Sequence, residues 1–432
     1  MHNSSKAWMS GWGVGLLWAS VAISLAEIWA GQQLGPAGLG WGLLVILLGH
    51  VVGGLIMAGA GCIGTRYRVM SMHSTRLVLG NRGSALPSIL NILQLVGWAT
   101  IMLALSGEAG AQVGARYGGL VARREFWILL IGGGTLAWSL TVGERSAKWL
   151  HSIVVVGLLL LSGLMTAVCL DPDHYRLAGP YWKPLSLGAG MRLMDLVIAM
   201  PISWAPLAAD YARLCRSEKS GFWGTFLGYG LVSSWMYAIG LVVFLATGSD
   251  DPAGNVLGVM GRIGLALPAL LLIFASTVTS DFPDIYSSAC SLVNILPRVK
   301  PTHTMWGTGL LTIVLALFFD LSRYEDFLIM IGAVFVPLFT VLLVEFFGFR
   351  CRGLGELDFR SGRGLEFRGG YRISGMAAWL GGTAAFFAAS RTGFVLGGSL
   401  TAILVAGLLY ALARRGLEPT AEAAAPGPVP RA

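Results

Sequence analysis

The chain has 432 residues, of which 55% are hydrophobic and 12% charged, with 60 glycines and a formal net charge of +8. Soluble domains carry about 25% charged residues, so a chain with half that share lacks the surface of a soluble enzyme. The glycines lie among Leu, Val, Ile, Trp and Phe without a three-residue period, which excludes collagen-like and disordered chains.

What remains is an all-α polytopic membrane protein. A helix needs about 20 apolar residues to cross the hydrocarbon core, and about twelve runs qualify. They lie near 11–31, 39–62, 86–108, 126–143, 149–170, 190–209, 221–247, 262–292, 303–319, 325–348, 372–390 and 394–413. Such long continuous runs argue against a β-barrel. The first is too long for a signal peptide and lacks a clear small-residue cleavage site, so it reads as a retained span.

Span 1 carries Glu27, an ionisable group well inside an apolar run. Such residues are costly in lipid and mark a functional site by default, the bland alternative being a carboxylate paired to a neighbouring helix. On a continuous helix, Ser20, Ser24 and Glu27 share a face at i, i+4 and i+7.

Span 2 holds Gly59-Ala60-Gly61-Cys62-Ile63-Gly64, which matches the dinucleotide pattern GxGxxG. That pattern needs a strand before it and a helix after it. Here it ends a membrane helix, so close helix packing is expected, as for Gly49, Gly53 and Gly54 in the same span. His50 in this span is expected to be hydrogen-bonded within the bundle, with a proton relay as the alternative reading.

Asn91, Gln94 and Trp98 in span 3 fall on one face at i, i+3 and i+7. Two amides and an indole suit a flat heterocycle, the amides reading its edge and the ring stacking on its face. In span 6, Pro201-Ile202-Ser203-Trp204-Ala205-Pro206 should kink or break the helix. In lipid that is tolerated only beside a cavity or packed protein.

Span 8 carries Ser276, Thr277, Thr279, Ser280, Asp281 and Asp284 with Pro283. These oxygens could replace the water shell of a hard cation. Thr277, Asp281 and Asp284 are expected on one face, with Ser276 and Ser280 beside it; the bland alternative is a helix that ends at Asp281. Spans 1 and 6 are five apart, and so are 3 and 8, the spacing that two inverted five-helix repeats require of a midplane site.

The basic residues concentrate in loops on one side, notably Arg66, Arg68, Arg76 and Arg82, then Arg350, Arg352, Arg360, Arg363 and Arg368, with Arg372 at the edge. By the positive-inside rule both termini are cytoplasmic. Arg116, Arg123 and Arg124 run against this count. The charge is spread over many short loops, so no nucleic-acid partner is implied. The five cysteines are scattered without a CxxC pair, which supports neither a disulfide framework nor a zinc site. No nucleophile–base set marks an enzyme.

These segments resemble the nucleobase–cation symporter-1 family, most closely its hydroxymethylpyrimidine permease branch. The residues that carry the likeness are Ile23-Ser24-Leu25-Ala26-Glu27-Ile28, Leu48-Gly49-His50 with Gly53, Ser71-Met72 with Arg76, and Asn91-Ile92-Leu93-Gln94-Leu95-Val96-Gly97-Trp98. Further ones are Ile198-Ala199-Met200-Pro201-Ile202-Ser203-Trp204-Ala205-Pro206 with Asp210-Tyr211, and Ser276-Thr277-Val278-Thr279. The resemblance implies a LeuT-like 5+5 inverted-repeat core plus two C-terminal helices. Its segments would be a cytoplasmic tail 1–10, repeats 11–170 and 190–348, two helices over 372–413 and a disordered cytoplasmic tail 416–432.

It further implies secondary active transport by alternating access, with a flat heterocycle held between two tryptophans. Trp98 matches the first, and Trp204 the second, with Pro201 the other position that counting back from Asp210 allows. The implied substrate set is Glu27, Ser24, Gln94, Trp98, Ser203, Trp204 and Asp281, with Asp284 an alternative to Asp281. The implied sodium site takes backbone oxygens of Ser20 and Ile23 and the hydroxyls of Ser276 and Thr277, with a proton as the other possible coupling ion. Glu27 favours an aminopyrimidine, because a carboxylate accepts from an exocyclic amine and shares a proton with the adjacent ring nitrogen. Hydroxymethylpyrimidine and cytosine present that edge. The expected setting is the lipid bilayer of the inner (plasma) membrane, and the expected state a monomer with no cofactor.

Overall fold

The computed structural model describes residues 9–141, 144–173, 177, 179, 181–351, 357–359, 362–365 and 367–417, with the backbone alone over 144–155 and at 158 and 417. Of the expected tail 416–432, the first two residues are helical and 418–432 lie outside the described residues, as do the start of the N-terminal tail, Arg352 and Arg360.

The chain is helical, with one isolated bridge, Met9 to Cys215, in place of any sheet among the described residues. The first five expected spans hold the pair α1 (Gly11–Ala22) and α2 (Leu25–Gln32), then α3 (Gly38–Tyr67), the short α4 (Ser71–Ser74) and α5 (Arg76–Gly83), α6 (Ala85–Gly114), α7 (Arg124–Thr141) and α8 (Glu144–Leu170). The next five are α9 (Leu187–Ala212), α10 (Glu218–Thr247) with the short α11 (Pro252–Arg262), α12 (Ala266–Ile295), α13 (Pro301–Phe318) and α14 (Tyr324–Leu343). Helices α15 (Ile373–Thr392) and α16 (Gly397–Leu417) follow. Among the described residues, eight helical stretches are long and apolar enough to cross a membrane by length and composition, and Gly11–Ala22 and Leu159–Leu170 are shorter apolar helices.

The packing is inverted relative to a soluble protein. Along α3, Gly49, Gly53 and Gly61 are buried while Leu47, Leu48 and Leu55 face outward. Leucine gains nothing by leaving lipid for another apolar surface, so small residues that admit close backbones take the interface. A Cβ on Gly49 would lie 2.6 Å from Val197 Cγ1, and one on Gly64 2.5 Å from Ala209 Cβ. The GxGxxG segment is therefore a close-packing surface, as expected, with Gly61 and Gly64 against α9 and Gly59 against Leu343. All five cysteines are buried.

Two sequence expectations change. Helix α9 runs unbroken through Pro201 and Pro206. Pro201 and Pro206 leave the carbonyls of Val197 and Ile202 without their helical donors; nearby, the Gln94 amide donates to Ser203 O at 2.8 Å and Ser203 Oγ donates to Met200 O at 2.6 Å. The helix is also buried continuously over Asp195–Ala212, so tertiary packing outweighs the lost backbone bonds. The break falls instead in span 1, where Ile23 and Ser24 are extended (ψ 92° and 159°) between α1 and α2. Ser20, Ser24 and Glu27 are consequently not one helical face.

The last two helices are tied to the rest by buried polar groups. Asp195 on α9 accepts from the amides of Gly398 and Ser399 in the first turn of α16, each at 2.7 Å. Glu345 accepts from Arg372, Tyr410 and Arg414 at 3.4, 2.6 and 3.2 Å.

Candidate functional site

The break in span 1 shapes the site. Ser24 caps α2, its hydroxyl accepting from the amide of Glu27 at 3.2 Å. Ser24-Leu25-Ala26-Glu27 has the S-x-x-E form of a capping box, so the helix start was readable in the sequence. The Glu27 side chain does not reach back to Ser24, however. It turns to α10, accepting from Tyr229 OH at 2.5 Å on Oε1 and from Ser233 Oγ at 2.7 Å on Oε2. Beyond Ser233 lies His50 of α3, with Nε2 2.6 Å from Ser233 Oγ and Nδ1 2.8 Å from Ile46 O. Glu27, Ser233 and His50 are all buried.

A small cavity, about 10 Å³, lies beside Glu27. Ser24 and Glu27 line it from α2 and its cap, Trp98 from α6, Trp204 from α9, and Ser280 and Asp284 from α12. Trp98 and Trp204 are 17° from parallel with centroids 6.3 Å apart. Trp18 of α1 meets Trp204 and Tyr229 edge-on at 6.2 and 6.3 Å, fixing the tilt of one wall. Phe327 and Tyr324 meet the other wall, Trp98, edge-on at 5.5 and 6.0 Å. Of the expected substrate residues, the structure thus brings Ser24, Glu27, Trp98 and Trp204 to one cavity.

The other three stand elsewhere. The Gln94 amide donates to Asn91 Oδ1 at 2.9 Å and to Ser203 O, while Asn91 donates to Ser291 Oγ at 2.7 Å. These amides tie α6 to α9 and α12 and do not line the cavity, although Gln94 Oε1 is buried without a hydrogen-bond partner among the described residues. Ser203 is turned back on its own helix. Asp281 is buried but does not line the cavity; Asp284 does. The reason is helical phase. Helix α12 continues through Pro283 to Ile295 rather than ending at Asp281, and Ser276, Ser280 and Asp284, at i, i+4 and i+8, form the face turned to the break. The carboxylate oxygens of Asp281 and Asp284 have no hydrogen-bond partner among the described residues.

At the top of that face, Ser276 Oγ donates to Ile23 O at 2.5 Å, so the hydroxyl and the open carbonyl of the break are in contact. Thr277 turns away, donating to Ile273 O at 3.0 Å and meeting Ser106 Oγ of α6 at 2.5 Å. Ser20 Oγ donates to Leu17 O at 2.7 Å. A second cavity, about 40 Å³, adjoins the break and is lined by Ile23, Ser24 and Ser276 with Leu161, Met165 and Leu272. Tyr229, Ser233, Ser106 and Trp18 escape a reading by motif, because hydroxyls and indoles are scattered through most of these spans.

Over residues 6–411 the chain matches the family described as permease for cytosine/purines, uracil, thiamine, allantoin. Cytosine permease of Escherichia coli (strain K12) is 24% identical over 328 residues, 74% of this chain and 74% of that protein. Purine-uracil permease NCS1 of Arabidopsis thaliana is 23% identical over 414 residues, 85% of this chain and 66% of that protein. In structure the chain is similar to Mhp1, a nucleobase-cation-symport-1 family transporter, in a closed conformation with bromovinylhydantoin bound. The TM-score is 0.79 at 17% identity, covering 98% of this chain and 96% of that one. A Na+-coupled sialic acid symporter is similar with a TM-score of 0.64 at 15% identity, covering 94% and 90%. These relatives are transporters and permeases rather than enzymes, and the shared fold is that of a polytopic helical membrane protein. The chain belongs to the family of permeases for cytosine, purines, uracil, thiamine and allantoin.

Proposed function

We propose that this permease is a cation-coupled symporter that takes up an aminopyrimidine, of the hydroxymethylpyrimidine or cytosine type, by alternating access. One observation carries the reading: the Glu27 carboxylate opens on the same cavity as the parallel indoles of Trp98 and Trp204. The indoles suit the two faces of a flat ring, and the carboxylate suits an edge rich in donors. Charge-assisted bonds of that kind are about twice as strong as neutral ones. Asp284 supplies a second acceptor in the role expected of Asp281. Sodium is assigned to the oxygens of Ser20, Ile23, Ser276 and Thr277, the contact of Ser276 with Ile23 O being its best support. The chain is assigned to the inner (plasma) membrane as a monomer with both termini cytoplasmic.

The test is uptake of labelled aminopyrimidine, with a panel of unlabelled heterocycles as competitors, with and without sodium at fixed pH. The reading expects aminopyrimidines to compete, uracil and hydantoins to fail, and Glu27→Gln to abolish uptake. Uptake undiminished in Glu27→Gln overturns the role of the carboxylate. A second reading, proton coupling through Glu27 and Asp281, is favoured by the unpartnered Asp281 carboxylate. Uptake indifferent to sodium but driven by a pH gradient would select it.

A further inference from the structure

The hydrogen bonds between Glu27 and His50 do not balance unless one more proton is counted. Ile46 O can only accept, so His50 Nδ1 carries a hydrogen and donates it at 2.8 Å. Ser233 Oγ then stands between His50 Nε2 at 2.6 Å and Glu27 Oε2 at 2.7 Å. A serine has one hydroxyl proton. With Glu27 ionised and His50 neutral, that proton serves one contact and leaves the other as two lone pairs face to face, in a buried site where an unmade bond is costly.

One added proton repairs the chain in either of two ways. In the first, Glu27 Oε2–H donates to Ser233 Oγ, and Ser233 donates to Nε2 of a neutral His50. In the second, His50 Nε2–H donates to Ser233 Oγ, and Ser233 donates to the Glu27 carboxylate. The two interconvert by a paired transfer: the O–H bonds of Glu27 and Ser233 break as an O–H bond forms on Ser233 and an N–H bond on His50, or the reverse. The net charge of the chain is unchanged.

We propose that Glu27, Ser233 and His50 form a binding site for one proton held in common, buried on the α10 side of the substrate cavity. His50 is then a positioning residue that sets, through Ser233, whether Glu27 faces the cavity as acid or as carboxylate. The other titratable groups around the chain are Tyr229, whose hydroxyl is committed to Glu27 Oε1, and Tyr237, edge-on to His50 at 4.9 Å. Tyr324 donates to Ala26 O at 2.9 Å, and Asp284 faces Glu27 across the cavity. This deepens the aminopyrimidine reading, which supplies its use: a proton available at Glu27 is what an acceptor ring nitrogen beside an exocyclic amine requires. The proton site itself stands apart from that reading.

The test is a pH titration of the substrate-free full-length protein, followed by infrared difference spectroscopy. The carboxylic acid band of Glu27 is identified by its loss in Glu27→Gln, and the imidazole bands of His50 by their loss in His50→Gln. The expected result is that both sets change together at one midpoint, because a shared proton belongs to the pair. In Glu27→Gln the amide donates to Ser233 without an added proton, so the proton affinity of His50 changes by tenfold or more. In Ser233→Ala the two midpoints separate. Independent midpoints in the unsubstituted protein, absence of both protonated forms at every pH reached, or a His50 midpoint unmoved by Glu27→Gln overturns the proposal. A shared midpoint in a protein that ignores aminopyrimidines would overturn the proposed substrate and leave the proton site standing.

Discussion

The indoles of Trp98 on α6 and Trp204 on α9 face each other 17° from parallel, with centroids 6.3 Å apart. A flat ring held between them needs about 7 Å, twice the carbon–carbon contact distance of about 3.5 Å. Stacking of a base on an aromatic side chain contributes about 1–3 kcal/mol by alanine substitution. Trp98→Ala and Trp204→Ala should each weaken binding by about 5- to 150-fold on that scale, and the Phe variants should retain part of it. Equilibrium binding of labelled substrate to purified protein measures this. Full affinity in either alanine variant would mean that the ring does not sit between the indoles.

The two aspartates of α12 make opposite predictions. Asp284 lines the cavity and Asp281 does not, although both are buried without a hydrogen-bond partner among the described residues. A hydrogen bond to a charged group contributes about 1.5–3 kcal/mol. Asp284→Asn should thus lower the affinity for amine-bearing heterocycles about tenfold or more and change the order of competitors. Asp281→Asn should shift all competitors together by a smaller factor. The competition panel distinguishes them, and a reversed order would return the substrate role to Asp281.

The apolar helices, the close packing of the Gly59–Gly64 segment and the meeting of Glu27, Trp98 and Trp204 at one cavity were legible in the sequence, because charges, glycines and indoles within apolar runs have few bland explanations. The phase of the broken helix was not. Prolines marked α9 as the candidate, yet it is buried over Asp195–Ala212 and stays helical through both. The actual break at Ile23 and Ser24 carries no proline, and its trace was the capping box at Ser24 and Glu27. Tyr229 and Ser233 were invisible for another reason: their meaning comes from contact with Glu27, about 200 residues distant in sequence, and no local pattern encodes such a pairing.

Glu345 gives a stability prediction at a distance from the cavity. Its fully buried carboxylate gathers Arg372 and Arg414, whose nitrogens lie 3.4 and 3.2 Å away, together with Tyr410 OH at 2.6 Å. Arg372 also donates to Leu77 O at 2.7 Å, so the cluster joins α5, the end of α14, α15 and α16. Removing one partner of a buried ion pair costs about 3–5 kcal/mol, since the remaining charge is left uncompensated. Glu345→Ala should therefore lower the thermal midpoint in detergent sharply, more than Tyr410→Phe does. The fraction that remains folded should bind substrate with near-normal affinity, since nothing in the cluster reaches the cavity. A loss of affinity in that folded fraction would show that the last two helices act on the site.

The contact between Ser276 Oγ and Ile23 O predicts how coupling should fail. A hydroxyl that donates to a carbonyl at 2.5 Å can rotate its proton away, leaving two oxygens turned to one point, the ligand type that a hard cation takes. Ser276→Ala removes one of those oxygens and leaves the Ile23 carbonyl without its partner at the break. The sodium concentration for half-maximal uptake should then rise several-fold or more, while substrate affinity at saturating sodium changes little. Ser276→Thr keeps the hydroxyl and should restore most of the response. Thr277→Ala should act more weakly, because its hydroxyl is engaged with Ser106 and Ile273 rather than with the break. Sodium curves that are unchanged in Ser276→Ala would move the coupling ion away from the break. In that case the buried carboxylates of Glu27, Asp281 and Asp284 become the groups through which a proton gradient must act.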